Sequence, residues 1–365
     1  MAWLFLGLVS LPFAAVLYVL TQRLGPRLLE AVPETPLAGA GEVPARGARR
    51  RIQARQLMGL RAGAAVALLA LVAIGVNRGV RTTPNPKVVA PAGEVQLPSP
   101  IALKVQARFG ADGTGSTQLH DPRDIAVDPA GNVYVADTGN KRVLKFSPTG
   151  SPAGAWTDIF TEPSSLAAVK DGLVVDDSET GRLRKFGFDG NPVPGFEHNL
   201  GLSHPRGIAA GPDGTIYVAD TANNRILMVG PDGMPRGAFD TKGAQLEQPT
   251  GVAVDEQGSI YSIEPAASRI QKFAPDGALQ AHLYLPSAVT VFPPRAIWIP
   301  GHGLTVTLPD QNELLTYGPA GVPQATFVPE APAPLRPLGL ALAHDGRSVW
   351  VVWNNSASAT LLLWP

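Results

Sequence analysis

The chain has 365 residues, with 30 Lys and Arg against 30 Asp and Glu and no cysteine. The missing cysteine excludes disulfides, thiol catalysis and cysteine-ligated metal. The zero balance hides two unlike parts: residues 1–100 hold 11 Lys and Arg against 4 Asp and Glu, whereas residues 101–365 hold 19 against 26.

In chain order, residues 1–20 carry no charge, which is about the ~20 apolar residues needed to cross a bilayer. A secretory signal places its positive charge before the apolar stretch. Here Arg23 and Arg27 follow it, so residues 1–20 are predicted as an uncleaved transmembrane helix. A second span, 57–77, is dense in Ala, Leu and Val, with Arg61 placed near its start where it can snorkel to the headgroups. Between them, residues 21–56 hold Arg23, Arg27, Arg46, Arg49, Arg50, Arg51 and Arg55 against Glu30, Glu34 and Glu42. The positive-inside rule therefore predicts a two-pass protein of the cytoplasmic membrane, with this loop in the cytoplasm and both the N-terminus and everything after 77 on the extracytoplasmic side. Gly59, Gly63 and Ala67 recur every four residues; they mark either a face for close packing on a membrane-protein partner or merely an Ala-rich helix. Residues 78–100, with Pro84, Pro86, Pro91, Pro98 and Pro100, read as a semi-rigid extended stalk.

From Pro122 one pattern recurs six times: an apolar strand opened by Pro, a tight turn, a second strand ending in an acid, a hairpin, and a third strand ending in an aromatic. The copies open at Pro122, Pro163, Pro205, Pro249, Pro294 and Pro337, in steps of 41, 42, 44, 45 and 43 residues. Each copy is too small to bury its own apolar faces, and the period is that of a four-stranded propeller blade. Outer fourth strands are expected around Gly154–Trp156, Gly195–Phe196, Gly237–Phe239 and Ala325–Phe327. The sixth copy has none, because the sequence ends at Trp364-Pro365. The alternating stretch Leu103–Gly110 is predicted to fill that place, with residues near 103–109 pairing with residues near 360–364 and removing the open edge. The predicted fold is thus an all-β six-bladed propeller over 101–365, preceded by two transmembrane helices.

Pro122-Arg-Asp-Ile-Ala-Val-Asp128, Gly131-Asn-Val-Tyr-Val-Ala-Asp137, Asn140-Lys-Arg142 and Lys145-Phe146 resemble the NHL repeat, as do Tyr217–Asp220 to Arg225 and Val252–Asp255 to Phe273. The resemblance covers residues 103–277 well and fades in the last two copies, where the arginine is missing. It implies the fold. NHL propellers serve as binding scaffolds, receptor sensors, RNA readers and a few lyases, so it leaves function open. The acidic balance of residues 101–365 disfavours RNA reading, since phosphates call for a basic surface, and no nucleic-acid partner is expected.

Four acid–arginine pairs, Asp137/Arg142, Asp177/Arg182, Asp220/Arg225 and Glu264/Arg269, flank the hairpin between second and third strands. Their repetition marks them as structural pairs across the turn rather than catalytic carboxylates. Tyr134, Tyr217 and Tyr261 with Phe146, Phe186 and Phe273 read as core between blades. Asp128 and Asp255 suit tight turns. His120 and His204 precede the first strands of their blades and are the candidates for a channel metal, as in the lyases that share the repeat, but the other four blades offer no histidine there. No metal, cofactor or catalytic residue is therefore assigned. Arg123, Arg206 and Arg295 each follow the blade-opening proline in blades one, three and five. Alternate blades of a six-fold ring lie ~120° apart, so the three either converge on one channel mouth as an anion site or stand as solvated rim residues. The function predicted is a non-enzymatic, membrane-anchored binding or assembly module, with membrane-protein partners through 1–20, 57–77 and the propeller faces. The alternatives are a receptor for a small anion and a channel-based metal-dependent lyase or hydrolase.

Overall fold

A computed structural model of the protein describes residues 87–89, 97–239, 245–286, 292–330 and 336–365. The predicted spans 1–20 and 57–77 and the loop 21–56 lie outside the described residues. Among the described residues no helix is long and apolar enough to cross a membrane.

The six copies form six antiparallel sheets. Blade one is Pro122–Val127, Val133–Asp137, Arg142–Phe146 and Pro152–Trp156, and blade three repeats it as Pro205–Ala210, Ile216–Asp220, Arg225–Val229 and Pro235–Phe239. The first strands of consecutive blades touch in ring order, and that of blade six, Pro337–Leu342, returns to that of blade one. Crowding at the axis explains the small residues two places after the opening proline in blades two to six, Ser165, Gly207, Gly251, Ala296 and Gly339. A Cβ on Gly207 would lie 2.8 Å from Cα of Gly251, and one on Gly339 would lie 2.5 Å from Cα of Asp124.

Closure follows the expectation. Val105–Phe109 is the outer strand of blade six, with Phe109 opposite Ala359 and Val105 opposite Leu362. Leu103 differs: it belongs to Ile101–Leu103, which lies parallel to Pro323–Pro329 as a fifth strand on blade five. Further upstream, Lys87–Val89 lies parallel to Leu279–Tyr284 on blade four. The described part of the expected stalk is therefore bound to the ring rather than free. Extended, proline-rich backbone needs donors and acceptors when it meets a sheet edge, and two blade edges supply them.

Blade two departs from the prediction as well. It has three strands, Pro163–Val169, Gly172–Asp177 and Arg182–Phe186, and around Gly195–Phe196 there is a turn instead of a fourth. The pairing made there is one bridge from Phe186 to Pro192 and the Val193 N–H donated to the carbonyl of Lys185. The segment instead sends Phe196 and Leu200 into the core between blades two and three.

Six buried clusters fill the six blade interfaces, one each. The repeated aromatics lie in them as expected: Tyr134 is fully buried, and Phe146, Phe186 and Phe273 are each 1% exposed. Burying a side chain of this size is worth about 1.5–3 kcal/mol, so the aromatic on the third strands of blades one, two, four and five cements blade to blade. Asp128 and Asp255 cap their turns through backbone N–H groups at 2.7–3.0 Å. Each also accepts a tyrosine hydroxyl, from Tyr134 and Tyr261.

Candidate functional site

The acid ending the second strand pins the loop that enters its blade. Asp137 accepts the backbone N–H of His120 at 2.6 Å, Nδ2 of Asn140 at 2.9 Å and Nε of Arg142 at 2.6 Å. Arg142 then donates to the carbonyls of Gly115 and Gln118, both at 2.7 Å. Asp220 repeats this with Ser203, Asn223 and Arg225. Glu264 does so with Glu247 and Arg269. In each pair the arginine approaches one carboxylate oxygen while the other holds backbone or is left over, so the pairs are not bidentate. The hairpin beyond ends on a left-handed residue in all six blades: Lys141, Gly181, Asn224, Ser268, Asn312 and Ala357.

Asp177 and Arg182 do not pair, which corrects the fourth expectation. Asp177 still accepts the N–H groups of Thr161 and Glu162, but Arg182 turns outward to Glu197 at 2.8 Å. Glu197 stands on the segment that replaces the missing strand, and it draws the arginine away.

The hydroxyl following the acid joins neighbouring blades. Thr138 Oγ1 donates to the carbonyl of Pro163 at 2.6 Å, Ser178 to that of Pro205, and Thr221 to that of Pro249 at 2.7 Å. These prolines open the inner strands, so their geometry fixes the channel mouth.

At that mouth, Arg123, Arg206 and Arg295 line one pocket of about 280 Å³, together with Glu162, Ser164, Ser178, His204, Phe292, Pro293 and Leu338. The three guanidinium groups are not equivalent. Arg123 is bound to Asp121 at 3.1 Å and Glu162 at 2.5 Å. Arg206 is exposed. Arg295 is buried, 7% exposed, and donates to Ser165 Oγ at 3.3 Å and to the carbonyl of Ser164 at 3.1 Å. Ser164 and Ser165 belong to blade two, directly opposite blade five in a six-fold ring. The Arg295 side chain thus crosses the channel and separates the pocket from the apolar interior beyond it.

Sequence reasoning missed what lies under this crossing. Asp124 accepts Ser165 Oγ at 2.8 Å and the N–H of Leu166 at 2.9 Å. Ser165 Oγ also accepts the N–H of Ile208 at 3.0 Å, so this one hydroxyl connects blades one, two, three and five. Asp176, fully buried, accepts Ser164 Oγ at 2.9 Å and Ser178 Oγ at 3.1 Å, while its Oδ1 has no partner. Burial pushes Asp176 up to about 8 and pushes Asp124 up too, against the pull of Arg295, whose own pKa burial lowers. The signal was present in the repeat: where blade two has Asp176, blades one and three have Ala136 and Ala219.

Beyond the crossing the channel opens to a wider mouth of about 1010 Å³, lined by groups that include Asp128, Lys185, Asp213, Asp255, Trp298 and His344. The two histidines singled out from sequence are not brought together. His120 bonds to exposed Asp112 at 3.1 Å, and that bond raises its pKa, whereas His204 lines the narrow pocket. Among the described residues no group of three His, Asp or Glu is placed to hold a metal ion.

A closed ring of six blades is a β-propeller, and the acids and arginines that pin blades one, three and four are those that resemble the NHL repeat. The NHL repeat description matches residues 119–146 and 202–227, so the chain carries NHL repeats in a six-bladed β-propeller. It is 43% identical over 79 residues to human NHL repeat-containing protein 3, covering 20% of this chain and 23% of that protein. It is 29% identical over 213 residues to peptidyl-glycine alpha-amidating monooxygenase B of Xenopus laevis, covering 40% of this chain and 24% of that one. The matches thus span about a quarter of these relatives' lengths. Among solved structures, a gluconolactonase from Xanthomonas campestris superposes with a TM-score of 0.55 at 19% identity, over 76% of this chain and 99% of that one. At that identity the likeness is one of fold.

Proposed function

We propose that this protein is a membrane-anchored, extracytoplasmic propeller that acts as a non-enzymatic binding or assembly module, an accessory subunit of a membrane complex. The observation that carries this reading is the use made of the repeated acids. Asp137, Asp220 and Glu264 are each tied to an arginine of their own blade and to the backbone of its entry loop, which makes them scaffold rather than chemistry. The uncharged residues 1–20, the apolar 57–77 and the arginine-rich 21–56 support the anchor and its orientation. Extraction of the full chain in mild detergent, followed by co-purification, tests it. Stoichiometric membrane-protein partners are expected; a chain that stays in the aqueous fraction, or a partner-free species that turns over a substrate, would overturn it.

A second reading, a receptor for a small anion at the narrow mouth, is favoured by one observation: Arg123, Arg206 and Arg295 line a single pocket. Loss of anion-induced thermal stabilisation in Arg206→Ala is the expected signature.

A further inference from the structure

The narrow pocket is chemically two-sided. Blades one to three supply Arg123, Ser164, His204 and Arg206, whereas Phe292, Pro293 and Leu338 come from the entries to blades five and six. In a six-membered ring these two sets face one another.

Free charge on the polar side is limited. Arg123 is committed to Asp121 and Glu162. Arg295 is committed to Ser164 and Ser165. Arg336, at the entry to blade six, lies over the Phe292 ring at 4.2 Å. Arg206 is exposed and, among the described residues, makes no hydrogen bond or ion pair. One uncommitted planar guanidinium matches one planar monoanion, which a carboxylate meets with two parallel hydrogen bonds. A phosphate dianion would bring a second negative charge beside Glu162, and the other unpaired guanidinium, Arg336, is stacked on Phe292 and is not among the groups that line the pocket. Apart from Arg295, which is committed to Ser164 and Ser165, the facing wall is apolar and favours an apolar body.

Building on the anion-receptor reading, we propose that the narrow mouth binds a small monocarboxylate with an apolar body, its carboxylate on Arg206 and its body against Phe292, Pro293 and Leu338. The volume of about 280 Å³ admits a single small molecule and no folded partner. The acid behind Ser164 and Ser178 does not oppose the anion near neutral pH, because burial keeps Asp176 protonated up to about 8.

Isothermal titration of the full-length chain with benzoate, acetate and inorganic phosphate, repeated in Arg206→Ala and Arg206→Lys, tests the proposal. Benzoate is expected to bind about tenfold or more tighter than acetate, because of its buried ring. Arg206→Ala is expected to weaken benzoate about tenfold or more, with Arg206→Lys between, since lysine keeps charge but not the fork. Phosphate binding as tightly as benzoate, with both lost in Arg206→Ala, would keep the anion receptor and overturn the carboxylate class. Acetate matching benzoate would overturn the apolar body. Binding of none of the three, or binding indifferent to Arg206→Ala, would overturn the receptor reading and this proposal with it.

Discussion

Blades one and two begin from nearly the same sequence pattern and end differently. In blade one, Asp137 holds Arg142, the second and third strands are locked, and a fourth strand completes the sheet. In blade two the arginine is drawn to Glu197, the fourth strand is absent, and an additional carboxyl, Asp176, is buried beside the channel. The regular blade is the scaffold. The irregular one faces Arg295 and contributes two serines to the narrow mouth. The departure from the repeat thus coincides with the one place where the channel is crossed, as expected when a fold's local rules yield at a site.

The sharpest way to break this contrast is to remove the same pair from both blades. Asp137→Ala strands three donors and a nearly buried cation, at a cost of about 3–5 kcal/mol and a fall in Tm of about 10 °C. Arg182→Ala, whose partner is on the surface, is expected to stay within about 0.5 kcal/mol. Thermal and urea unfolding of the two variants measure the difference; equal losses would mean that the pairs are not what distinguishes the blades.

A second test uses pH. The native state keeps a proton on Asp176 up to about 8, whereas an ordinary aspartate releases it near 3.8. The folded chain therefore binds more protons than the unfolded one between those values, and stability falls as pH rises through that window. Asp176→Asn needs no proton, so it should reduce the slope, leaving what Asp124 and Glu264, also raised by burial, contribute. Its Tm should exceed the parent's at pH 8 and converge on it toward pH 4. A constant difference at all pH values would assign the slope to other groups. The smallest effect is expected from Thr138→Val, which leaves the carbonyl of Pro163 without its donor and should cost about 1 kcal/mol in the same assay.

The ring was legible in the sequence because the blades write it locally: an opening proline in all six and, in the first four, an acid and an arginine five apart, at near-constant spacing. Closure by Val105–Phe109 was legible by arithmetic, since the sixth copy lacked an outer strand. The alternation of Arg123, Arg206 and Arg295 left a shared mouth and a solvated rim both open, and the three line one pocket. What spacing could not carry is depth. Arg295 is buried because small serines and two carboxyls stand opposite it, about 130 residues away in the chain, while Arg123 is held at the rim by Glu162. The failure at Arg182 has the same origin, because Glu197 acts from a segment whose path no local rule sets. The strands Lys87–Val89 and Ile101–Leu103 were missed because proline-rich composition speaks for extended backbone and is silent on which edge receives it.

The strand that closes the ring has a temporal consequence. Arg108 meets Thr360 across 252 residues of chain, so during translation the first-made strand of blade six leaves the ribosome long before its partner exists. At synthesis rates of ~5–20 residues per second it waits on the order of ten to fifty seconds as an unfilled β-edge, exposed to chaperones and to other nascent chains. A stop codon at Ser358 or earlier would leave that wait without an end.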